Sequence, residues 1–371
     1  MADTYSVAVY PAGDQDWSRV DNYLALAARY GCKEIFTSAH LPEADADDQI
    51  EGVIILTELA HAHNLKICCD FGGTLFSRLI ENEELCHRVK AAGLNALRLD
   101  YGISPERIED CVKKLNIHSF QINASILSEQ EMDEITEIEK AHPEWKLAIR
   151  GCHNFYPLIE TGLDEDYTKK QNKLCAQKGW PVVCCAPCHR NPRGPMKQGL
   201  PTVEAHRFLP FEEALLESSL LCQEILVGDE GLEEQDFQIV QRVVSRKPLV
   251  MHVIPAPDLA DEERAILFEV HHFRPDSNNA VLRSQSSRQM ACYAANVPAK
   301  KPRLRTEGTV TIHNENALRY SGELQIARMN LPANALCNCA GQIEQRDLWK
   351  LKYGLEGYDF RIVETAGSEM K

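Results

Sequence analysis

The feature that most limits how this chain can fold is an eightfold alternation of short β-rich runs with amphipathic helical segments. The runs are Tyr5–Pro11, Glu34–Leu41, Lys66–Gly72, Ala96–Ile103, Phe120–Ser125, Lys146–Asn154, Pro181–Cys188 and Glu224–Asp229. Between them lie segments such as WSRVDNYLALAARY, IEGVIILTELAHAH and FEEALLESSLLCQ, whose apolar residues recur at helical spacing. Strands separated by helices are joined by crossovers and pair in parallel. Eight such units in roughly 245 residues predict a (β/α)8 TIM barrel. An open doubly wound sheet fits the same alternation, but no glycine-rich dinucleotide fingerprint follows the first run.

After Ser245 the texture changes. RKPLVMHVIPAPDLADEE carries three prolines and reads as a linker. Short strand-like segments follow, TVTIHNEN, GELQIARM, ALCNCAGQIE and YDFRIVE, with little helical periodicity. They predict a small all-β barrel or sandwich of roughly 110 residues. The expected division is residues 1–246 for the barrel and 247–371 for the linker and second domain.

Composition narrows the partners. The formal net charge of -15 disfavours nucleic acid and anionic membrane surfaces, which need basic surface. MADTYSVAVYP has neither a basic start nor a long apolar core, so no secretory signal is expected, and no apolar run reaches the roughly 20 residues of a membrane span. Many of the 14 cysteines lie in apolar runs such as KICCDF and PVVCCAP, which suits free buried thiols in a reducing cytoplasm.

In such barrels the chemistry sits where strands end. Those ends carry His40, Asp70, Arg98 with Asp100, Asn123, Arg150 with His153 and Asn154, His189, and Asp229 with Glu230. After the seventh strand comes RGPMKQGLPTVEAHR, a Gly- and Pro-rich loop bearing Arg193, Lys197, Glu204, His206 and Arg207. Guanidinium forks and glycine backbone N–H groups of this kind can hold an anion beside a carboxylate. Schiff-base chemistry is disfavoured, because Lys66 and Lys146 begin strands instead of ending them. Metal-assisted hydrolysis by His40, Asp70, His153 and His189 finds no HxH or HExxH spacing. The Cys185–His189 stretch spells the CxxCH of haem attachment, yet lies at a strand end in a chain without an export signal. Cys337 and Cys339 fall in the other domain, too far in sequence to read as zinc ligands with Cys185 and Cys188. Glycoside hydrolysis needs two carboxyl groups flanking a bond, and Asp100, Glu204 and Asp229 supply them. Arg98, Asn123, Arg150, His153, Asn154, Arg193, His206 and Arg207 are the expected substrate contacts. This reading calls for neither a metal nor another cofactor. A non-catalytic sugar-phosphate-binding barrel is the competing class.

Several segments together resemble the 6-phospho-N-acetylmuramidase family: VAVYP, CKEIFTSAHLPE, LRLDYGI, INASIL, CHNFYP with ETGL, RGPMKQGLPTVEAHR and ILVGDE, then FRPD, LRS, GTVTIHN, RYSGELQI and CNCAGQIE. The resemblance spans nearly the whole chain. It implies a (β/α)8 barrel followed by a cyclophilin-like β-domain. It also implies hydrolysis of a 6-phospho-MurNAc-β-1,4-GlcNAc disaccharide in cell-wall sugar recycling, with that phosphosugar as the partner molecule. Where the family usually carries Arg-Pro, this chain has Leu158-Ile159. Arg283, Arg288 and the RYSGE segment are polar where a core would not be, which suggests a lid or a homodimer surface on the β-domain.

Overall fold

The computed structural model describes residues 1–11, 15–39, 46–99, 106–287 and 297–365. It divides the chain into two compact units, Met1–Ser245 and Arg246–Lys371. In the first, eight strands close a barrel in sequence order: β1 (Thr4–Ala8), β2 (Glu34–Ser38), β3 (Lys66–Asp70), β4 (Ala96–Leu99), β5 (Ser119–Asn123), β6 (Ala148–Cys152), β7 (Val182–Ala186) and β8 (Glu224–Val227). Every described neighbour pair is parallel, and β8 closes on β1. Strands covered on both faces read as continuous buried runs, as EIFTS and VVCCA do here.

The helices start and stop where local chemistry allows. Helix Trp17–Arg29 buries Val20, Leu24 and Ala27 on one stripe, and Asp16 caps it by accepting from the N–H groups of Ser18 and Arg19. Helix Glu83–Ala92 begins at the Asn82 cap and ends at Gly93, whose φ of 81° is left-handed. Ser128 and Glu131 form a capping box for helix Glu129–Ala141. Each cap contributes about 1 kcal/mol.

Side chains alternate across each strand with period two, which decides what enters the barrel. Ala8, Phe36, Cys152, Val183, Cys185 and Leu226 pack there with Tyr10 and Phe155. Near the strand starts the filling is polar: Arg150 bonds Glu34 at 2.7 and 3.0 Å and Glu224 at 2.8 Å, while Gln121 donates to Glu34 at 3.1 Å. Arg150 was expected at the rim. It belongs instead to this lower layer, because Glu34 and Glu224 stand at the first positions of their strands.

The second unit is a seven-stranded sheet: β9 (Leu249–Pro255), β10 (Val270–His271), β11 (Val281–Arg283), β12 (Thr309–His313), β13 (Leu324–Ala327), β14 (Cys337–Ile343) and β15 (Phe360–Glu364), in the order β10-β15-β9-β14-β12-β13-β11. All its pairs are antiparallel except β9 with β15. The sequence expectation of a linker over this region is overturned, since LVMHVIP is the interior strand β9, between β15 and β14. Pro248 precedes the strand, Pro255 is its last residue, opposite Gly341, and Pro257 lies beyond it. Gly341 is required where β14 meets β9: a Cβ there would stand 2.7 Å from Val253 Cγ2 and 2.9 Å from the Ile254 oxygen. The unit also carries a helix, Asp261–Leu267, so it is not purely β. Arg283, one reason for expecting a partner surface, is spent on the buried Glu323 at 2.9 and 3.0 Å. Arg288 lies outside the described residues. No helix among those described is long and apolar enough to cross a membrane.

Candidate active site

The same alternation selects the groups at the barrel mouth. On β8 the inner positions are Glu224 and Leu226; the strand ends at Val227, and Asp229 and Glu230 stand in the loop that follows it. On β1 they run Ser6, Ala8, Tyr10; on β3, Cys68 and Asp70; on β4, Ala96 and Arg98; on β6, Arg150, Cys152 and Asn154. Asp100 and His40 lie outside the described residues.

Aromatic rings form the floor. Phe36 meets Tyr10 and Phe155 edge-on at centroid distances of 6.5 and 6.4 Å. Tyr10 donates its hydroxyl to the Gly228 carbonyl at 3.3 Å, and burial pushes its ionisation upward, so it stays a neutral phenol. The Arg193 guanidinium lies on this ring, 3.7 Å from the centroid. Among the described residues the Arg193 guanidinium has no hydrogen bond or ion pair, so its N–H groups face the mouth uncommitted. Buried Arg98 donates to the Cys152 carbonyl at 3.2 Å and to Asn154 Oδ1 at 2.5 Å.

Glu230 stands among the strand-end residues of the sequence but not among its expected catalytic carboxylates. Its Oε1 accepts the Tyr10 backbone N–H at 2.6 Å. Burial raises its pKa above the ordinary carboxylate value, with the Tyr10 bond, Arg193 and Arg19 pulling the other way. A carboxyl poised to hold its proton, beside a cation and over an aromatic floor, can protonate a leaving oxygen.

Asp229, by contrast, is fully buried. Its Oδ2 accepts the N–H groups of Cys188 at 2.8 Å and Leu200 at 3.1 Å, and its Oδ1 that of Arg193 at 3.0 Å. Burial raises its pKa and these three bonds oppose the shift. Asp229 thereby ties down the loop that presents Arg193.

Glu204 and Arg207 form a second clamp. Arg207 is fully buried and donates to Glu204 Oε1 at 2.7 Å and Oε2 at 2.6 Å. It also donates to the carbonyls of Tyr156 and Leu158 at 2.9 Å and of Gln198 and Gly199 at 3.2 Å. Glu204 in turn accepts the N–H groups of Glu160 at 2.9 Å and Gly162 at 2.8 Å. Gly162 cannot be larger, because a Cβ would stand 2.6 Å from Glu204 Oε2. The Arg207 fork holds the Glu204 pKa down at about 2, so at neutral pH Glu204 has no proton to give. Neither residue reaches the mouth as expected: the guanidinium and both carboxylate oxygens are consumed in stitching the loop after β6 to the loop after β7. Leu158 and Ile159 stand exposed on the stitched loop.

Two expected histidine contacts point away from the mouth. His153 is fully buried, with Nε2 at 2.7 Å from Asn172 Oδ1 and Nδ1 at 3.1 Å from Ser125 Oγ. Asn172 donates its amide to the Leu221 carbonyl, so its Oδ1 accepts and the proton of His153 sits on Nε2. Burial lowers its pKa to about 4. Ser125 Oγ then accepts the Asn154 N–H at 2.8 Å, so His153 holds the strand end from which Asn154 reaches Arg98. His206 is buried against Ser218 at 3.3 Å. Asn123 Oδ1 accepts the Ser125 N–H at 3.1 Å. His189 bonds the Arg207 carbonyl and stacks on Phe208. Cys185 and Cys188 are buried thiols, and burial pushes Cys188 to about 11. Among the described residues no group of three or more His, Cys, Asp or Glu side chains is arranged to hold a metal ion.

Comparison with known proteins adds a family. The family model described as 6-phospho-N-acetylmuramidase, N-terminal, matches residues 5–242, and its C-terminal counterpart matches residues 249–363. Among solved structures the chain is similar to an uncharacterized Bacillus cereus protein at 23% identity and a TM-score of 0.77, covering 98% of this chain and 100% of that one. A conserved Enterococcus faecalis protein of unknown function matches at 25% identity and a TM-score of 0.73, covering 98% and 97%. No curated protein matches.

Proposed function

The chain belongs to the 6-phospho-N-acetylmuramidase family, a family of glycosidases, and from that premise we propose that it hydrolyses the β-1,4 bond of a 6-phospho-MurNAc–GlcNAc disaccharide. Its setting on this reading is the cytoplasm, in the recovery of cell-wall sugars. The observation that carries the reading is Glu230, a partly buried carboxyl group with a raised pKa in the loop after β8, bonded to the backbone N–H of Tyr10, whose ring carries Arg193.

Glu230 donates its proton to the glycosidic oxygen as the bond from that oxygen to the anomeric carbon breaks. Water adds its oxygen to that carbon: either a second carboxylate takes the proton of the attacking water directly, or it first bonds the anomeric carbon and the deprotonated Glu230 takes the proton of the water that then hydrolyses this intermediate. Ring order sets β3 and β4 on the half of the barrel away from β8. Asp70 ends β3, and Asp100 follows Arg98 by two residues in sequence, so these two are the candidates for the second carboxylate. The aromatic floor suits the apolar face of a sugar ring, and the Arg193 fork suits its phosphate. Glu204, Arg207 and Asp229 act one step back, holding the loop that carries Arg193.

The test is release of GlcNAc from the 6-phosphorylated disaccharide and from its dephosphorylated form. A charge-assisted phosphate contact predicts a loss in kcat/KM of about 10–100-fold without the phosphate. Equal turnover of the two forms refutes the phosphosugar assignment. Asp70→Asn and Asp100→Asn in the same assay identify the second carboxylate, and full activity in both removes the two-carboxylate mechanism.

A further inference from the structure

Beside the mouth, between helix Trp17–Arg29 and the loop that follows β8, lies a cavity of about 480 Å³. That is within the roughly 300–1,000 Å³ of small-molecule sites. Glu230 lines it and also accepts the backbone N–H of Tyr10, whose ring carries Arg193, so one side chain borders both that pair and this cavity. A ligand that occupies both places has its connecting bond at Glu230.

Charge decides which part of the ligand goes where. The uncommitted guanidinium of Arg193 is at the mouth, on Tyr10. Among the described residues, the charged ones lining the cavity are Arg19, Glu230 and Glu233, and Glu233 is already paired with Arg190 at 3.1 Å. These offer an anion no surplus of positive charge. Its remaining polar groups include the amides of Asn22 and Asn191, and its apolar wall includes Val20 and Leu26. Amides that both donate and accept, set against aliphatic surface, match a neutral N-acetylated sugar ring with its hydroxyls and methyl group.

We infer that this cavity is the leaving-group subsite, holding the uncharged N-acetylhexosamine while the phosphorylated sugar lies at the mouth. The assignment rests on the glycosidase reading above. It also gives the helix Trp17–Arg29 a part in specificity that its place in the barrel wall does not require.

The experiment fills the cavity and changes the leaving group. Asn22 is exposed and Leu26 half-buried, so Asn22→Trp and Leu26→Trp add an indole without opening the core. Each is compared with wild type on the phosphorylated disaccharide and on the corresponding 6-phosphorylated glycosyl fluoride, whose leaving group is a single atom. The expected result is a KM for the disaccharide raised at least about tenfold, with fluoride hydrolysis within about twofold of wild type. Weak binding of free GlcNAc to wild type, followed by saturation-transfer NMR, should vanish in both variants. Unchanged disaccharide kinetics in both folded variants overturn the subsite, as does an equal loss on both substrates. A wild type that cleaves neither substrate overturns the glycosidase reading itself, whereas GlcNAc binding that is insensitive to both variants overturns only the subsite.

Discussion

Replacing Arg207 by Met separates a clamp from a substrate contact. The side chain is fully buried, and its guanidinium reaches Glu204 twice and four backbone carbonyls from two loops. Methionine fills much of the volume but leaves those carbonyls unpaired and Glu204 ionised without its cation. Breaking a buried ion pair by removing one partner costs about 3–5 kcal/mol. For a unit of this size each kcal/mol is worth about 2–4 °C in Tm, so the barrel transition should fall by about 6–20 °C. The assay is thermal unfolding of the full chain by circular dichroism, with Glu204→Gln and the double variant completing a cycle. The double variant should cost less than the sum of the singles, because Gln leaves no orphaned charge. A folded Arg207→Met with an unchanged Tm and a raised KM for the phosphosugar refutes the clamp and restores Arg207 as a direct contact.

Two further outcomes follow from the same geometry. Arg193→Met should weaken use of the phosphorylated disaccharide by about 10–100-fold while leaving Tm nearly unchanged, and it should move the alkaline limb of the pH–activity profile upward, since a cation that lowers the Glu230 pKa is gone; a profile that does not move contradicts their coupling. His153 binds fewer protons folded than unfolded between about pH 4 and the ordinary histidine pKa near 6.5. Its contribution to stability, up to about 3 kcal/mol, is therefore complete above that window and lost as pH falls through it. His153→Gln should flatten this part of the stability curve, and an identical slope in the variant would falsify the assignment.

The barrel was legible because strands buried on both faces leave continuous apolar runs and the helices between them keep their own period. β9 was not, because three prolines close together read as a break, whereas the structure places them at the strand's ends, Pro248 just before it, Pro255 at its last position and Pro257 beyond. The mouth was half legible. Counting charge at strand ends drew attention to Asp229, whereas the carboxyl group bonded to the Tyr10 N–H is Glu230, in the loop past the end of β8 where strand alternation no longer applies. Period two from Ser6 and Ala8 does point to Tyr10. The roles of Glu204 and Arg207 had no such signal, since four of their partners are carbonyls brought in by tertiary folding. Even the loop that carries Arg193 depends on Asp229, 36 residues further along the chain and past the end of the next strand, a contact that local pattern does not announce.

The central claim is that Glu230, not Glu204, donates the proton. Fluoride departs without protonation, so the most direct measurement is Glu230→Gln on the 6-phosphorylated disaccharide and on the matching glycosyl fluoride. The account predicts a fall of about 10²–10⁴-fold on the disaccharide with the first bond-breaking step on the fluoride largely preserved. Near-normal disaccharide cleavage by a folded Glu230→Gln, with cleavage abolished in an equally folded Glu204→Gln, would contradict it.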